Sequence, residues 1–352
     1  MDIKEIVNDG FYIKNTHPKI KNMAFLSLTM ALKAYFSTYK SMSFRFSHLK
    51  NPTPDSEDRD YYTTKYIENA SEAISHLQHF LELYIKEILE KENILLAIDV
   101  KKDHALLYDL IKGIDFDKSK LEGERLIEFS EALPRITSLI ETGRIDNKYG
   151  FIKDSKEWMK SVTELRNRTA HRGIFILRYQ ALDLLFGKYV FPFLKKVLSL
   201  DGNEKKYTQL QVHSENGDFN IIDSIINHFE NENYSISKIA LLKELGRACF
   251  ENPIKGKYSW GEQERKRAEL IAEEVSKSED NGEVLKCPVC KTKSLIKYHD
   301  YVETYNPESG ENDGYIQIVD NVTCYCCSLE LFSNIGDLDS MNLGLIDYWK
   351  TD

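Results

Sequence analysis

The pattern of apolar residues between Tyr61 and about Leu96 restricts this chain to a helical fold more than any other feature of its sequence. Apolar side chains recur there at spacings of three and four, which is the repeat of one buried face on a long α-helix. They are Ile67, Ala70, Ile74, Leu77, Leu81, Tyr84 and Ile88. No strand pattern of comparable length precedes residue 200, so the first part of the chain is predicted to be an α-helical bundle.

Further helical stripes lie on both sides of this segment. The chain looks helical from about Ile20 to Tyr39, before the turn sequence Asn51-Pro52. A second stripe has the same spacing, although Pro134 could divide it into two helices. It consists of Leu126, Phe129, Leu133, Ile136 and Ile140.

Two more helices are predicted before residue 200. One begins near Asp154, a candidate N-cap, and buries three side chains, which are Trp158, Val162 and Leu165. The other follows Gly173 and is expected to kink at Pro192. Its predicted inward residues are Leu182, Phe186, Tyr189, Phe193 and Val197.

Changes in composition divide the chain into four predicted segments. Residues 1–60 form an N-terminal helical extension, and residues 61–200 form the helical bundle. Residues 201–283 are polar and acidic and are predicted to be a helical connector, with short helices near 221–229, 236–250 and 262–276. Residues 284–352 contain two β-like runs, Leu295–Val302 and Tyr315–Val322, joined by a turn-rich stretch, which predicts a small β-hairpin module.

The charge balance limits the partners that the chain can have. The 352 residues carry 47 Lys plus Arg against 56 Asp plus Glu, a net charge of −9. Proteins that coat DNA non-specifically are normally basic, so any contact with nucleic acid must use a local patch. The charged N-terminal residues do not resemble a secretory signal, and the apolar run Met23–Leu32 is too short to span a bilayer. We therefore expect a cytoplasmic protein that does not contact membranes.

Five of the six cysteines lie near the end of the chain in a metal-binding spacing. Cys287-Pro288-Val289-Cys290 is followed, after 33 residues, by Cys324-Tyr325-Cys326-Cys327. Two such pairs on either side of a hairpin are typical of a zinc ribbon, in which four thiolates enclose a structural Zn²⁺. The predicted ligands are Cys287, Cys290, Cys324 and Cys327. Cys326 is a spare in this assignment, although it could replace Cys324.

Two other functions of the cysteines fit the spacing less well than structural zinc. A redox motif would open a helix after a strand and would not need the second pair. A catalytic zinc would keep an open position, whereas four protein ligands are available here. His299 could join the shell, but four thiolates suffice. The module carries little positive charge, so its role stays open.

A histidine with cationic and amide neighbours lies between the last two predicted helices of the bundle. The stretch runs Arg166-Asn167-Arg168-Thr169-Ala170-His171 and continues with Arg172-Gly173. A guanidinium can hold a phosphate by two hydrogen bonds. An imidazole with a pKa of about 6.5 can take up or release a proton at neutral pH. The ordinary structural interpretation is an arginine that caps a helix C-terminus, followed by a histidine in a turn.

Arg166-Asn167, followed by three residues and His171, resembles the Arg-x4-6-His signature of HEPN domains, the helical family named for higher eukaryote and prokaryote nucleotide binding. The long helix with Glu82 and Lys86 is similar to the family's central helix. Asp103-His104-Ala105-Leu106 with Leu110 looks like its short His-x-Leu helix. The resemblance covers about residues 61–200. It implies a HEPN-like helical bundle over that range. The whole chain is therefore predicted to be mainly α, with this bundle followed by the helical connector and the small β-hairpin zinc ribbon.

Members of this family with an intact motif are commonly metal-independent endoribonucleases that act as homodimers. By this resemblance Arg166 would bind the scissile phosphate, and His171 would serve as general base or acid for attack by the 2′-hydroxyl. Asn167 would orient the imidazole or the phosphate, and Arg168 and Arg172 would contact RNA. Catalysis would need no cofactor. Such a protein would be a toxin or antiphage defence effector, with an antitoxin or a trigger protein as partner.

Two other functions stay open from the sequence. The bundle could belong to a non-catalytic dimerisation adaptor or RNA-binding protein. A zinc-ribbon nucleic-acid-binding regulator is a further alternative, disfavoured by the net charge of −9 and by the lack of a basic recognition helix. Gly173 stands where some HEPN proteins carry a tyrosine that a nucleotidyltransferase modifies, so regulation by that route is not expected.

Overall fold

The protein is mainly helical, with a small antiparallel sheet near its C-terminus. The computed structural model describes residues 23–50, 61–99, 107–108, 111–112, 127–172, 175–200, 202–203, 205–231, 233–255, 261–278, 284–307 and 309–350. The fold class expected from the apolar stripes is confirmed at this level.

The α-helices of the described residues follow the predicted order. They are α1 (Met23–Ser37), α2 (Phe46–Lys50), α3 (Thr64–Glu92), α4 (Phe129–Glu141), α5 (Gly150–Asp154), α6 (Lys156–Arg172), α7 (Tyr179–Leu185), α8 (Phe191–Leu198), α9 (Ile221–Asn231), α10 (Ile236–Glu251) and α11 (Gly261–Ser278). Short 3-10 turns occur at Lys40–Arg45, Ile94–Leu96, Asn147–Tyr149, Pro253–Lys255, Ser333–Ile335 and Asp339–Met341. The long helix α3 matches the strongest stripe of the sequence.

Pro134 lies inside α4 and does not divide it, so the second stripe forms one helix. A proline six residues into a helix removes one hydrogen bond, the one from its own nitrogen to the carbonyl four residues earlier. The apolar face compensates, because Phe129, Leu133, Ile136 and Ile140 are all buried.

Asp154 is not an N-cap, which corrects a prediction from the sequence. It ends the short helix α5, and α6 begins at Lys156 after a one-residue break at Ser155. The amide of Ser155 donates to the carbonyl of Phe151 at 3.2 Å, so the chain is already helical before the break. Val162 of α6 is fully buried as expected, and Trp158 is half-buried.

A π-helical turn at Phe186–Val190 joins α7 to α8 directly before Pro192. The amide of Phe191 donates to the carbonyl of Phe186, five residues back, which inserts one extra residue into the helix. Val190 is buried in this turn, and Tyr189, predicted to point inward, is 47 % exposed. The other predicted inward residues are buried, namely Leu182, Phe186, Phe193 and Val197.

The chain forms two compact units, of which unit 1 comprises Met1–Met30 and His76–Tyr149. Among its described residues, Phe80 lies close to Phe25 and Tyr84, with ring centroids 6.0 and 5.6 Å away. Arg135 donates from Nη1 to the carbonyl of Leu96 at 2.8 Å, which fixes α4 beside the end of α3.

Unit 2 comprises Ala31–Ser75 and Gly150–Asp352, and its central element is α10. Every residue of α10 from Lys238 to Cys249 is buried. A Cβ on Gly246 would lie only 2.5 Å from the ring of Phe36, so glycine is needed for the close approach of α10 to α1. The segment predicted as a polar connector thus contains the best-buried helix of this unit.

The C-terminal sheet consists of β3 (Leu285–Lys286), β4 (Lys293–Tyr305), β5 (Asn312–Cys324) and β6 (Glu330–Phe332) in that spatial order, all antiparallel. β4 and β5 are the two predicted runs, extended by several residues. A separate pair, β1 (Gln211–Val212) and β2 (Phe219–Asn220), was not anticipated. None of the described helices is both long enough and apolar enough to cross a bilayer.

Candidate functional site

Four cysteine side chains meet in the C-terminal sheet. The sulfur atoms of Cys287, Cys290, Cys324 and Cys327 all lie within 4.8 Å of one another, and all four residues are buried. Cys287 Sγ is 3.5 Å from Cys327 Sγ, and Cys290 Sγ is 3.6 Å from Cys324 Sγ. A disulfide needs about 2.05 Å. A tetrahedron with metal–sulfur bonds of about 2.3 Å has sulfur–sulfur edges of about 3.8 Å. The group therefore has the geometry of a four-thiolate metal site.

Each cysteine pair is held in the same type of backbone turn. In the first cysteine turn (Cys287–Cys290), the amide of Lys291 donates to the carbonyl of Cys287, and the amide of Cys287 donates to Thr292. The second cysteine turn (Cys324–Cys327) repeats both bonds, from Ser328 to Cys324 and from Cys324 to Leu329. Such a turn points both of its thiols to one side, so the two turns can enclose one ion.

The residue after each turn has left-handed backbone geometry. Lys291 has φ +62° and Ser328 has φ +57°. This conformation is uncommon for residues other than glycine, asparagine and aspartate. Its occurrence at equivalent positions shows that the two turns have matching backbone conformations.

The remaining sulfur and imidazole candidates lie outside this group. Cys326 is half-buried and is not a member of the four-cysteine set, although its amide donates to Cys324 Sγ at 3.4 Å. His299 lies on β4, where it is paired with Val319. The ligand assignment in which Cys326 is the spare residue thus agrees with the positions of the sulfur atoms.

A buried ionic network attaches the second cysteine turn to α10. Arg247 donates to Glu244 at 2.8 and 2.5 Å and to Glu251 at 2.6 Å. The same guanidinium donates to the hydroxyl of Ser328 at 3.1 Å and also to its carbonyl oxygen. Glu244 in turn accepts a hydrogen bond from the amide of Glu330 at 2.8 Å. The backbone that follows the turn is therefore fixed by charged side chains of one helix.

The arginine of the Arg–His motif lies on the C-terminal half of α6. Arg166 is half-buried and donates from Nη1 to Asn167 Oδ1 at 3.2 Å, whereas Asn167 and Arg168 are exposed. These side chains form a cationic and amide surface near the end of the helix. The side chains of His171 and Arg172 lie outside the described set.

The motif is part of α6 and does not lie between two helices, which corrects the sequence prediction. The backbone of α6 is helical through Arg172. Residues five positions apart on an α-helix are separated by about 140° around its axis. The backbone positions of residues 166 and 171 therefore lie on different sides of the α6 axis.

Of the two other segments that carry the HEPN resemblance, the structure describes the one on α3 and not the one around His104. On α3, Lys86 Nζ pairs with Glu82 Oε1 at 2.5 Å, and Lys86 is buried. The segment with His104, together with Leu110, lies outside the described residues.

Unit 2 contains a second buried ion pair, which no pattern in the sequence predicted. Lys243 of α10 pairs with Asp183 of α7, and both side chains are completely buried. Lys243 Nζ lies 3.6 Å from the centroid of the Tyr179 ring and 4.8 Å from that of Tyr35. Tyr234 donates to Asp183 Oδ2 at 2.8 Å. A cation between two aromatic rings and against a carboxylate is well compensated inside a core.

Burial shifts the pKa values of both members of this pair. Burial lowers the pKa of Lys243 to about 8, although the Asp183 carboxylate acts in the opposite direction. Burial also raises the pKa of Asp183, although Lys243 and Tyr234 oppose that change. Because both charges are shielded from solvent, we interpret this pair as a structural element of the core and not as a place for substrate.

Comparisons with known proteins give no match to this chain among family models, curated proteins or solved structures.

Proposed function

We propose that this protein is a metal-independent endoribonuclease of HEPN type. The observation that carries the proposal is the run Arg166-Asn167 with His171 on the C-terminal half of α6. A mainly helical fold, with the long helix α3 before the motif, is consistent with it. The exposed side chains of Asn167 and Arg168 leave this part of α6 accessible to a polymer.

Each motif residue has a role that suits its chemistry. Arg166 binds the scissile phosphate and stabilises the charge that develops on it, because a guanidinium stays charged and offers two parallel donors. His171 accepts the proton of the attacking 2′-hydroxyl as a general base, or donates a proton to the leaving 5′-oxygen as a general acid. Asn167, already bonded to Arg166, orients that guanidinium. Arg168 and Arg172 contact neighbouring phosphates of the RNA.

The position of the motif on one continuous helix favours a homodimeric site. Arg166 and His171 of one protomer are about 140° apart around α6. A two-fold pairing of α6 helices places the arginine of one copy beside the histidine of the other. Two motifs would then form composite sites at the interface.

The four cysteines are proposed to hold a structural Zn²⁺ that organises a zinc ribbon. Among the residues that the structure describes, four buried thiols form the group and fill a tetrahedral shell, and this donor set is the usual one for structural zinc. Zn²⁺ supplies folding energy here and takes no part in catalysis.

The cellular role that this activity suggests is that of a cytoplasmic toxin or antiphage defence effector. An enzyme that cuts cellular RNA must be restrained until it is needed. A partner protein, either an antitoxin or a trigger, would supply that control.

Cleavage of RNA by matched variants tests the enzyme proposal. We expect the wild type to cut a single-stranded RNA in EDTA at a concentration that leaves the zinc content unchanged. Arg166→Ala and His171→Ala should each lower the rate at least about 100-fold, because each removes a transition-state interaction. Lys160→Ala removes an exposed cation from the same helix and should retain activity. Products should end in 2′,3′-cyclic phosphate, and a substrate with 2′-deoxyribose at the cut should resist.

One second function is favoured by a specific observation. The distal end of the C-terminal hairpin is acidic and aromatic, which suits a protein partner better than RNA. In this alternative the protein is a non-catalytic adaptor, which binds its partner through the hairpin and dimerises through the helical bundle. Absence of cleavage by folded, dimeric wild type, with the same result for every variant, would support the adaptor and reject the nuclease.

A further inference from the structure

The outer half of the β4–β5 hairpin is a two-stranded arm. β3 pairs with β4 only as far as Leu295, and β6 pairs with β5 only over Asn321–Thr323. Within the described sheet, β4 and β5 continue beyond that point with no third strand, as far as the pair Tyr305–Asn312. A register shift between Tyr298 and His299 separates this distal arm (residues 300–317) from the cysteine-bearing part. Six residues of β4 make it about 20 Å long.

The distal arm exposes large apolar side chains on both of its faces. Alternation along the strands and direct cross-strand pairing put Val302 and Ile316 together on one face. The exposed fractions are 66 % for Tyr301, 43 % for Val302, 57 % for Tyr305, 64 % for Tyr315 and 53 % for Ile316. A run of exposed aromatic and aliphatic residues on one small element is unusual for a free surface and is typical of a binding site.

Three tyrosines share the other face with a carboxylate, and two of them bond to it. Tyr305 donates its hydroxyl to Glu303, and Tyr315 donates to Glu303 Oε1 at 3.4 Å. Tyr301 lies on the same side of β4, two residues before Glu303. Aromatic rings beside an ionised carboxylate form a surface that attracts a guanidinium or an ammonium.

The ionised side chains of the arm are all acidic. No lysine or arginine occurs between Tyr298 and Trp349. Asp300, Glu303, Glu311 and Asp313 are exposed along this part of the hairpin. This charge repels RNA phosphates and anionic lipid headgroups, and it attracts a basic surface.

We propose that the distal arm docks a partner protein through an arginine-rich segment whose cations lie on the tyrosine face around Glu303. Tyrosine and arginine are the residues most enriched at the energetic centres of protein interfaces, which fits this pairing. Attachment would be strongest at low ionic strength, because exposed charge pairs are screened by salt. The proposal does not depend on nuclease activity.

Peptide binding by the full-length protein tests the proposal. The probe is a fluorescent peptide in which arginine alternates with leucine and serine, and its counterpart has glutamate in place of arginine. We expect saturable binding of the arginine peptide, measured by anisotropy, and none of the glutamate peptide. Tyr301→Ser with Tyr315→Ser should weaken binding about tenfold without a change in net charge. Glu303→Gln with Asp313→Asn should weaken it by a similar factor.

A matched variant separates the arm from the general charge of the protein. Glu273→Gln with Glu274→Gln removes two exposed carboxylates from α11 and should leave binding unchanged. Equal losses in the α11 and arm variants, or no saturable binding by the wild type, would overturn the proposal. It would also be overturned if the arm tyrosines were needed for binding single-stranded RNA, or if their replacement dissociated a dimer in sedimentation. Zinc content and thermal unfolding of each variant check that the sheet is intact.

Discussion

Replacement of Asp183 by alanine is expected to destabilise unit 2 by about 3–5 kcal/mol, because it leaves the Lys243 ammonium buried without its counter-charge. Both side chains are completely inaccessible, so water cannot replace the lost carboxylate. The rings of Tyr35 and Tyr179 stay beside the ammonium but cannot neutralise it. The free energy of unfolding in urea at pH 7 measures the effect.

The pH dependence of this variant identifies the buried amine as the cause. Without Asp183, the pKa of Lys243 should fall below its present value of about 8, since the carboxylate is what raises it. Between this lowered pKa of Lys243 in the folded protein and its unfolded value of about 10.4, the unfolded chain binds more protons than the folded one. Stability therefore rises with pH through this window. The difference between Asp183→Ala and wild type should be smaller at pH 9 than at pH 7.

Two control variants define the effect. Asp183→Leu combined with Lys243→Met removes both charges and should recover most of the loss, as replacement of buried ion pairs by apolar residues commonly does. Asp223→Ala breaks the exposed pair with Lys195, joined at 2.8 Å, and should cost less than about 1 kcal/mol. If Asp183→Ala lowered the free energy of unfolding no more than Asp223→Ala does, the Lys243–Asp183 pair would not be important for the stability of the core.

Loss of the metal is expected to have the other large effect. The purified wild type should contain about one zinc per chain, and Cys287→Ser with Cys290→Ser should abolish it. Apparent binding energies of structural zinc in small peptides are about 10–16 kcal/mol at pH 7, more than a sheet of this size can replace by packing. Elemental analysis and thermal unfolding measure the two outcomes. Cys326→Ser leaves the four-cysteine group intact and is the matched control.

Metal loss should also loosen α10, because Arg247 bonds Ser328 of the second cysteine turn. When that turn opens, Arg247 and the buried Glu244 lose partners that compensate their burial. Hydrogen exchange should therefore increase in α10 as well as around the cysteines. A cysteine variant that lacks zinc but retains a folded sheet and a protected α10 would contradict the structural role of the site.

Local patterns in the sequence predicted most of the helices and the cysteine group. The stripe from Ile67 to Ile88 gives α3 because helical periodicity is a property of neighbouring residues. The cysteine spacing predicts the metal ligands for a similar reason, since each tight turn brings two thiols together. The same spacing left open whether Cys326 replaces Cys324, and the positions of the sulfur atoms in the structure place Cys324 in the group.

Tertiary contacts decided what these local patterns could not. At the π-helical turn before Pro192, Val190 is buried in place of Tyr189, which is exposed. Pro134 was accommodated because the buried face of α4 compensates for one lost hydrogen bond. Both outcomes depend on what packs against the helix.

The sequence by itself determined the helical class, the order of the helices and the cysteines that can share an ion, because each of these depends on residues close together in the chain. The tertiary structure alone decided that α10, with its lysines, glutamates and arginine, is buried. Charged side chains indicate an exposed helix unless their partners are known, and Asp183 lies sixty residues before Lys243. A buried charge is stable only beside its counter-charge, and folding brings those two residues together.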